Sequence, residues 1–227
     1  MVDAQSDEWR QAVEELAKSP SIDSERIGVA GLPSPNFKRY ERVVQLASLS
    51  DLEALMSHRY PVVRGYAAKG ILQKDPKQAA ALYPLLADAA SVETVNGCNM
   101  GSDTVGYIVA LALAWNADPV VMPDILVRAK EDVRIPKDVY KTLSGSFASR
   151  RGRERALQLC ADHLKAHGKN PAAYHIYVTD SVKTKGRVWT NISVESKLQK
   201  DPHGRPAGGR IKIDLETGDV IVVTPIP

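Results

Sequence analysis

Pro61-Val-Val-Arg-Gly-Tyr-Ala-Ala-Lys-Gly-Ile-Leu72 is the stretch on which the fold reading turns. Val63, Ala67 and Ile71 recur at i, i+4 and i+8 and so share one helical face. Pro61 stands at a first helical position, where no backbone donor is needed. Just upstream, Ser50-Asp-Leu-Glu53 has the spacing of a capping box, with a short helix expected to run to His58. Two short helices in succession read as an antiparallel pair, and such pairs bury their apolar faces by stacking on further pairs.

The helical pattern extends outward from this pair. Trp9, Val13, Leu16 and Ala17 fit one face of a helix over residues 6–18, with Asp7 and Glu8 at the positive end of its dipole. An irregular stretch broken by Gly31-Leu-Pro-Ser-Pro35 follows. Residues 37–49 then resume a helix through Tyr40, Val43, Val44 and Ala47. Asp75-Pro-Lys-Gln78 closes one element and opens the next. Residues 91–101, Ser-Val-Glu-Thr-Val-Asn-Gly-Cys-Asn-Met-Gly, read as a long polar loop before a helix that begins near Ser102. Residues 118–130 and 136–148 form one more pair, and residues 153–167 a last amphipathic helix.

The segments 50–58 and 61–74 resemble a HEAT-like repeat, with Val63-Arg64 and Ala67-Ala68 at positions of the family's second helix. Leu82-Tyr-Pro-Leu-Leu-Ala-Asp88 is similar to that family's first helix, including the proline inside it and the acid near its end. The resemblance spans roughly residues 40–150 and implies a solenoid that presents a surface to a partner, with Arg64 on it.

After Gly168-Lys-Asn-Pro171 the period changes from helical to alternating. Ile176 and Val178, then Val188, Thr190, Ile192 and Val194, mark two strands. Ile211 and Ile213 lead into Asp214-Leu-Glu-Thr-Gly218 and residues 220–223 leave it, a hairpin with glycine where positive φ is needed. A sheet of four strands is too small to be stable alone and should pack its apolar face on the last helix. The closing hairpin is similar to that of bacterial NTF2-like immunity proteins and of PepSY-like modules, which implies a toxin-neutralising role. The expected fold is therefore α+β: a predominantly α-helical HEAT-like solenoid over residues 1–170, followed by a small antiparallel β segment over residues 171–227.

Composition narrows the class of function. With 227 residues the chain can bury a core without disulfides or metals. A formal charge of +3 falls short of a nucleic-acid footprint unless the charge is clustered. Arg150-Arg-Gly-Arg-Glu-Arg155 is the sharpest cluster, readable either as a phosphate-facing surface or as a solvated turn. No segment reaches the roughly 18 apolar residues of a membrane span. The start carries neither a basic leader nor an apolar signal core, so a cytoplasmic location is expected, with a periplasmic one as the alternative.

Few patterns point to chemistry. Cys160, His163 and His167 fall at i, i+3 and i+7 of one helix and could face a metal. The plainer reading buries Cys160 and sets His167 at the helix C-terminus. Cys98 lies in a flexible loop ahead of a helix N-terminus, a setting that lowers a thiol's pKa. The loop Asp201-Pro-His-Gly-Arg-Pro-Ala-Gly-Gly209 lacks the signature of a phosphate loop and reads as a contact surface through His203 and Arg205. No cofactor motif occurs. The expected function is a non-enzymatic protein-binding or scaffold protein, with Arg64, Arg150, Arg151, Arg153, Arg155, His203 and Arg205 as partner-binding residues. The alternatives are an enzyme using Cys98, the Cys160 face, or His175 and Asp180, and a nucleic-acid binder through Arg150 to Arg155.

Overall fold

Seven helices form in the computed structural model, which describes residues 4–184, 187–200 and 205–226: α1 (Ala4–Ala17), α2 (Pro35–Leu46), α3 (Leu49–Leu55), α4 (Pro61–Lys74), α5 (Val105–Asn116), α6 (Met122–Glu131) and α7 (Lys137–Ala166). Eight strands make two four-stranded sheets. The protein is thus α+β, and the chain divides between Phe147 and Ala148 into two compact units.

The first unit is organised around α4. Val62, Val63, Tyr66, Ala67, Ala68, Ile71 and Leu72 are all buried, so the helix is enclosed on nearly every side and not only along the 63/67/71 stripe. Each large aliphatic side chain sealed in this way contributes about 1.5–3 kcal/mol. Glycine lets neighbours approach: a Cβ on Gly70 would lie 3.0 Å from Val44 Cγ2 and 3.3 Å from Leu52 Cδ1. Helices α3 and α5 and the 3-10 segment Pro76–Ala87 all pack on α4. Pro84 sits within that 3-10 segment, where an α-helix had been expected from the sequence.

Four further elements differ from the sequence expectation. The irregular stretch after α1 contains β1 (Ser21–Ile27) and the two-residue β2 (Leu32–Pro33), and the polar loop over residues 91–101 is the hairpin of β3 (Ser91–Gly97) and β4 (Asn99–Thr104). These pair in the order β2-β1-β3-β4, with β1 and β3 parallel through Ser21 to Glu93, Ile22 to Thr94 and Asp23 to Val95. Asn96 and Asn99 pair across the tight turn Gly97-Cys98, where Gly97 adopts φ +58°. The capping box belongs to Ser48 and Asp51, two residues earlier than Ser50 and Glu53: the Ser48 hydroxyl accepts from the Asp51 amide, and the Asp51 carboxylate accepts from the Ser48 amide. Both Ser-x-x-acid pairs satisfy the spacing, so the spacing alone does not choose between them. Finally, residues 137–166 run as one helix instead of two.

The second unit is the sheet β5 (Tyr174–Thr184), β6 (Arg187–Lys200), β7 (Pro206–Asp214) and β8 (Val220–Thr224), antiparallel throughout and paired in chain order. Ala156, Cys160 and Leu164, at successive four-residue steps of α7, seal Ile192, Val194, Ile211 and Ile213 into one cluster. Gly218 takes φ +80° in the last hairpin, as that turn requires.

Gly106, in the first turn of α5, donates its amide to the Asp88 carbonyl at 2.9 Å, and a Cβ there would meet the Leu86 carbonyl oxygen at 2.5 Å. Backbone cannot swing aside as a side chain can. Gly106→Ala should cost about 1–3 kcal/mol, read as a lower urea midpoint at unchanged m. An unchanged midpoint would show that the 3-10 segment yields.

Candidate functional site

A polar knot joining β1, α2 and α4 borders a concavity of the first unit. Ser34 caps α2 by accepting from the Phe37 amide at 3.0 Å, and its hydroxyl donates to Asp23 Oδ2 at 2.5 Å. Ser21 donates to the other oxygen of Asp23 at 2.6 Å and accepts from Asn36 Nδ2 at 3.0 Å. The Asp23 amide donates to the Tyr66 hydroxyl at 2.8 Å. Tyr66 stacks on Tyr40 with ring centroids 4.8 Å apart, and Tyr40 donates to Gln73 Oε1 at 2.6 Å. Burial pushes both phenols well above the usual tyrosine range.

Lys69 follows Tyr66 on α4. Its ammonium lies 5.6, 5.7 and 5.5 Å from the ring centroids of Phe37, Tyr40 and Tyr66, a three-sided aromatic cage. Among the described residues it donates no hydrogen bond and forms no ion pair. Burial holds its pKa below the ordinary lysine value, and the Asp23 charge pulls it part of the way back. Lys69 opens onto a cleft of about 380 Å³. Asp23 of β1, Thr94 of β3 and Asp103 of β4 form its polar side, and Ile108, Leu111 and Trp115 of α5 its apolar side. Thr94 donates to Asp103 Oδ2 at 3.1 Å.

The residues singled out by sequence lie elsewhere. Arg64 is half-buried and forks onto Asp88 at 2.7 and 3.1 Å while donating to the His58 carbonyl at 2.8 Å, so its guanidinium braces α4 against the chain before and after it. Arg150 and Arg151 both pair with Glu154, at 2.9 and 2.8 Å; Arg153 and Arg155 are exposed on the same helix. Arg205 lines a shallow groove of about 490 Å³ with Glu195 and Arg210. His203 and the side chain of Asp180 lie outside the described residues. His175 is exposed on β5, paired across the ladder with Glu195.

Cys160 points into the apolar cluster of the second unit, where burial pushes its thiol up to about 11. His163 and His167 instead pair with each other, their rings 4.2 Å apart. The three do not converge, and no group of three or more His, Cys, Asp or Glu side chains among the described residues is placed to hold a metal. Cys98 is exposed in the Gly97-Cys98 turn.

The second unit offers a different surface. β8 lies at the end of its sheet, pairing with β7 on one side, and Ile221, Val222 and Val223 are 48%, 46% and 48% exposed in succession. A buried strand would leave no such run uncovered.

Lys69 carried a signal that the sequence reading passed over. Tyr66 and Lys69, at i and i+3, share a helix face, and Phe37 and Tyr40 do the same on α2, but the meeting of the two faces is a tertiary fact. Compared with known proteins, the chain matches no family model, no curated protein and no solved structure.

Two measurements check this description. A thiol reagent should label Cys98 in the native chain and reach Cys160 only in denaturant; rapid labelling of both would contradict the burial of Cys160. The pKa of His163 is lowered, by burial and then by His167, so the unfolded chain binds more protons there and stability should rise as pH climbs from the lowered folded pKa towards the unfolded value near 6.5. His163→Gln should flatten that slope.

Proposed function

We propose that the protein is a non-enzymatic binding protein that takes up an extended segment of a partner protein along β8. The supporting observation is the uncovered apolar run of β8 at the end of its sheet. Natural edge strands are commonly blunted by lysine, proline or a bulge; Val220–Thr224 carries no charge and no proline, and its one irregularity is the register shift that places an extra residue, Val223, between the partners of Ile211 and Arg210. Strand addition to such an edge supplies main-chain hydrogen bonds for affinity and side-chain contacts for selectivity.

Kinship of α3 and α4 with a HEAT-like pair belongs to the same proposal, supported by their mutual packing and by the Arg64–Asp88 fork that ties α4 to the segment after it. The narrower role is that of a bacterial immunity protein whose partner is a toxin. No helix among the described residues is long and apolar enough to cross a membrane; the proposal places the protein in the cytoplasm, with the periplasm as the alternative. The nucleic-acid reading is less favoured, because Glu154 partly neutralises Arg150 and Arg151.

Cross-linking mass spectrometry in the native host tests the reading. The full chain should capture a partner through residues of β8. Val222→Lys should reduce its recovery by about tenfold, equivalent to about 1.4 kcal/mol, with an unchanged melting temperature. Equal recovery by the variant, or cross-links that avoid β8, would contradict the proposal.

A further inference from the structure

The Lys69 cleft carries a function that the β8 edge does not need. Three features define it. An ammonium is held by three rings and has no hydrogen-bond acceptor among the described residues. The cleft of about 380 Å³ falls within the range of small-molecule sites. Its lining combines apolar side chains of α5, Ile108, Leu111 and Trp115, with the acids Asp23 and Asp103 from the strands.

The two acids are not equivalent. Asp23 is buried, and each of its oxygens accepts from a serine hydroxyl, so it acts as a fixed structural anion beside Lys69. Asp103 is part-exposed and accepts from Thr94 on one oxygen. Among the described residues, Lys69 is the only cationic side chain on the lining.

Cation–π contact satisfies the charge of an ammonium, but the rings leave donors on its open side without an acceptor. A carboxylate would accept there, in a setting where low polarity strengthens the bond. A simple carboxylate would also meet the field of Asp103, and a simple amine would meet that of Lys69. A molecule with both charges answers both groups.

From this arrangement we infer that the cleft binds a free α-amino acid with an apolar side chain. Its carboxylate lies on Lys69, its ammonium faces Asp103, and its side chain rests on Leu111 and Trp115. The cage of Phe37, Tyr40 and Tyr66 positions Lys69, and Asp23 sets the field around it.

Calorimetric titration of the full chain with L-leucine and L-phenylalanine tests this, alongside 4-methylpentanoate, which lacks the amino group of leucine, and 3-methylbutylamine, which lacks its carboxylate. At least one of the two amino acids should bind, with the matching truncated analogues weaker by about tenfold or more, the scale of one charge-assisted hydrogen bond. For leucine the two named analogues serve; for phenylalanine they are 3-phenylpropanoate and 2-phenylethylamine. Lys69→Met should weaken the amino acid by a similar factor without weakening the amine, and Asp103→Asn should weaken the amino acid by a similar factor without weakening the carboxylate. The analogue series on the native chain decides the matter even if a variant fails to fold. No binding of either amino acid at millimolar concentration would overturn the inference. So would carboxylates or amines that bind as tightly as the amino acids, or an unweakened Lys69→Met variant. Binding measured with Val222→Lys keeps this result separate from the partner proposal.

Discussion

The first unit depends on how a buried carboxylate is satisfied. An ionised aspartate removed from water costs several kcal/mol unless hydrogen bonds and nearby charge replace its hydration. Asp23 is 3% exposed, and two serine hydroxyls close on its two oxygens. Each donor is itself anchored: Ser34 at the start of α2, where the helix dipole also favours a negative charge, and Ser21 by Asn36 of the same helix. The Asp23 amide reaches Tyr66 on α4. One residue of β1 thereby fixes the strand against two helices, and the strand in turn sets where β3 pairs. The position of Lys69 follows from the same knot, because Tyr40 and Tyr66 belong to both its cage and the hydrogen-bonded chain.

The second unit rests on different physics. Its helix and sheet meet through Ala156, Cys160 and Leu164 on Ile192, Val194, Ile211 and Ile213, and its own buried carboxylate, Asp214, accepts from the Glu216 amide at 2.9 Å inside the last hairpin. The sheet has two end strands, β5 and β8, and on β8 the apolar side chains of Ile221, Val222 and Val223 are exposed in succession. Strand addition would extend the sheet in the direction where its own chain stops pairing.

Elements stabilised locally were legible in the sequence. The helices around Val13 and Leu16, around Tyr40 and Val44, and from Pro61 onward are amphipathic or apolar over several turns. The last hairpin has alternating isoleucines and a glycine at its turn. Strands β1, β3 and β4 were not legible, for an identifiable reason. In β1 the inward-facing positions include Ser21 and Asp23, which are buried through hydrogen bonds and so invert the usual polarity pattern. β3 and β4 are mostly polar, and β3 is held by parallel pairing to residues some seventy positions earlier. Of the expected site residues, the arginines and histidines stood out by type and spacing, yet Arg64, Arg150 and Arg151 are matched by acids nearby. Lys69 looked like one ordinary lysine in a helix, because its surroundings come from α2, β1, β3, β4 and α5.

A double-mutant cycle between Asp23 and Ser34, followed by urea unfolding, tests the role of this knot most directly. Asp23→Ala and Ser34→Ala should each destabilise the protein by about 2 kcal/mol, with a coupling of about 1 kcal/mol or more. Additive effects, or an Asp23→Ala chain that unfolds at the same urea concentration as the native one, would contradict the account.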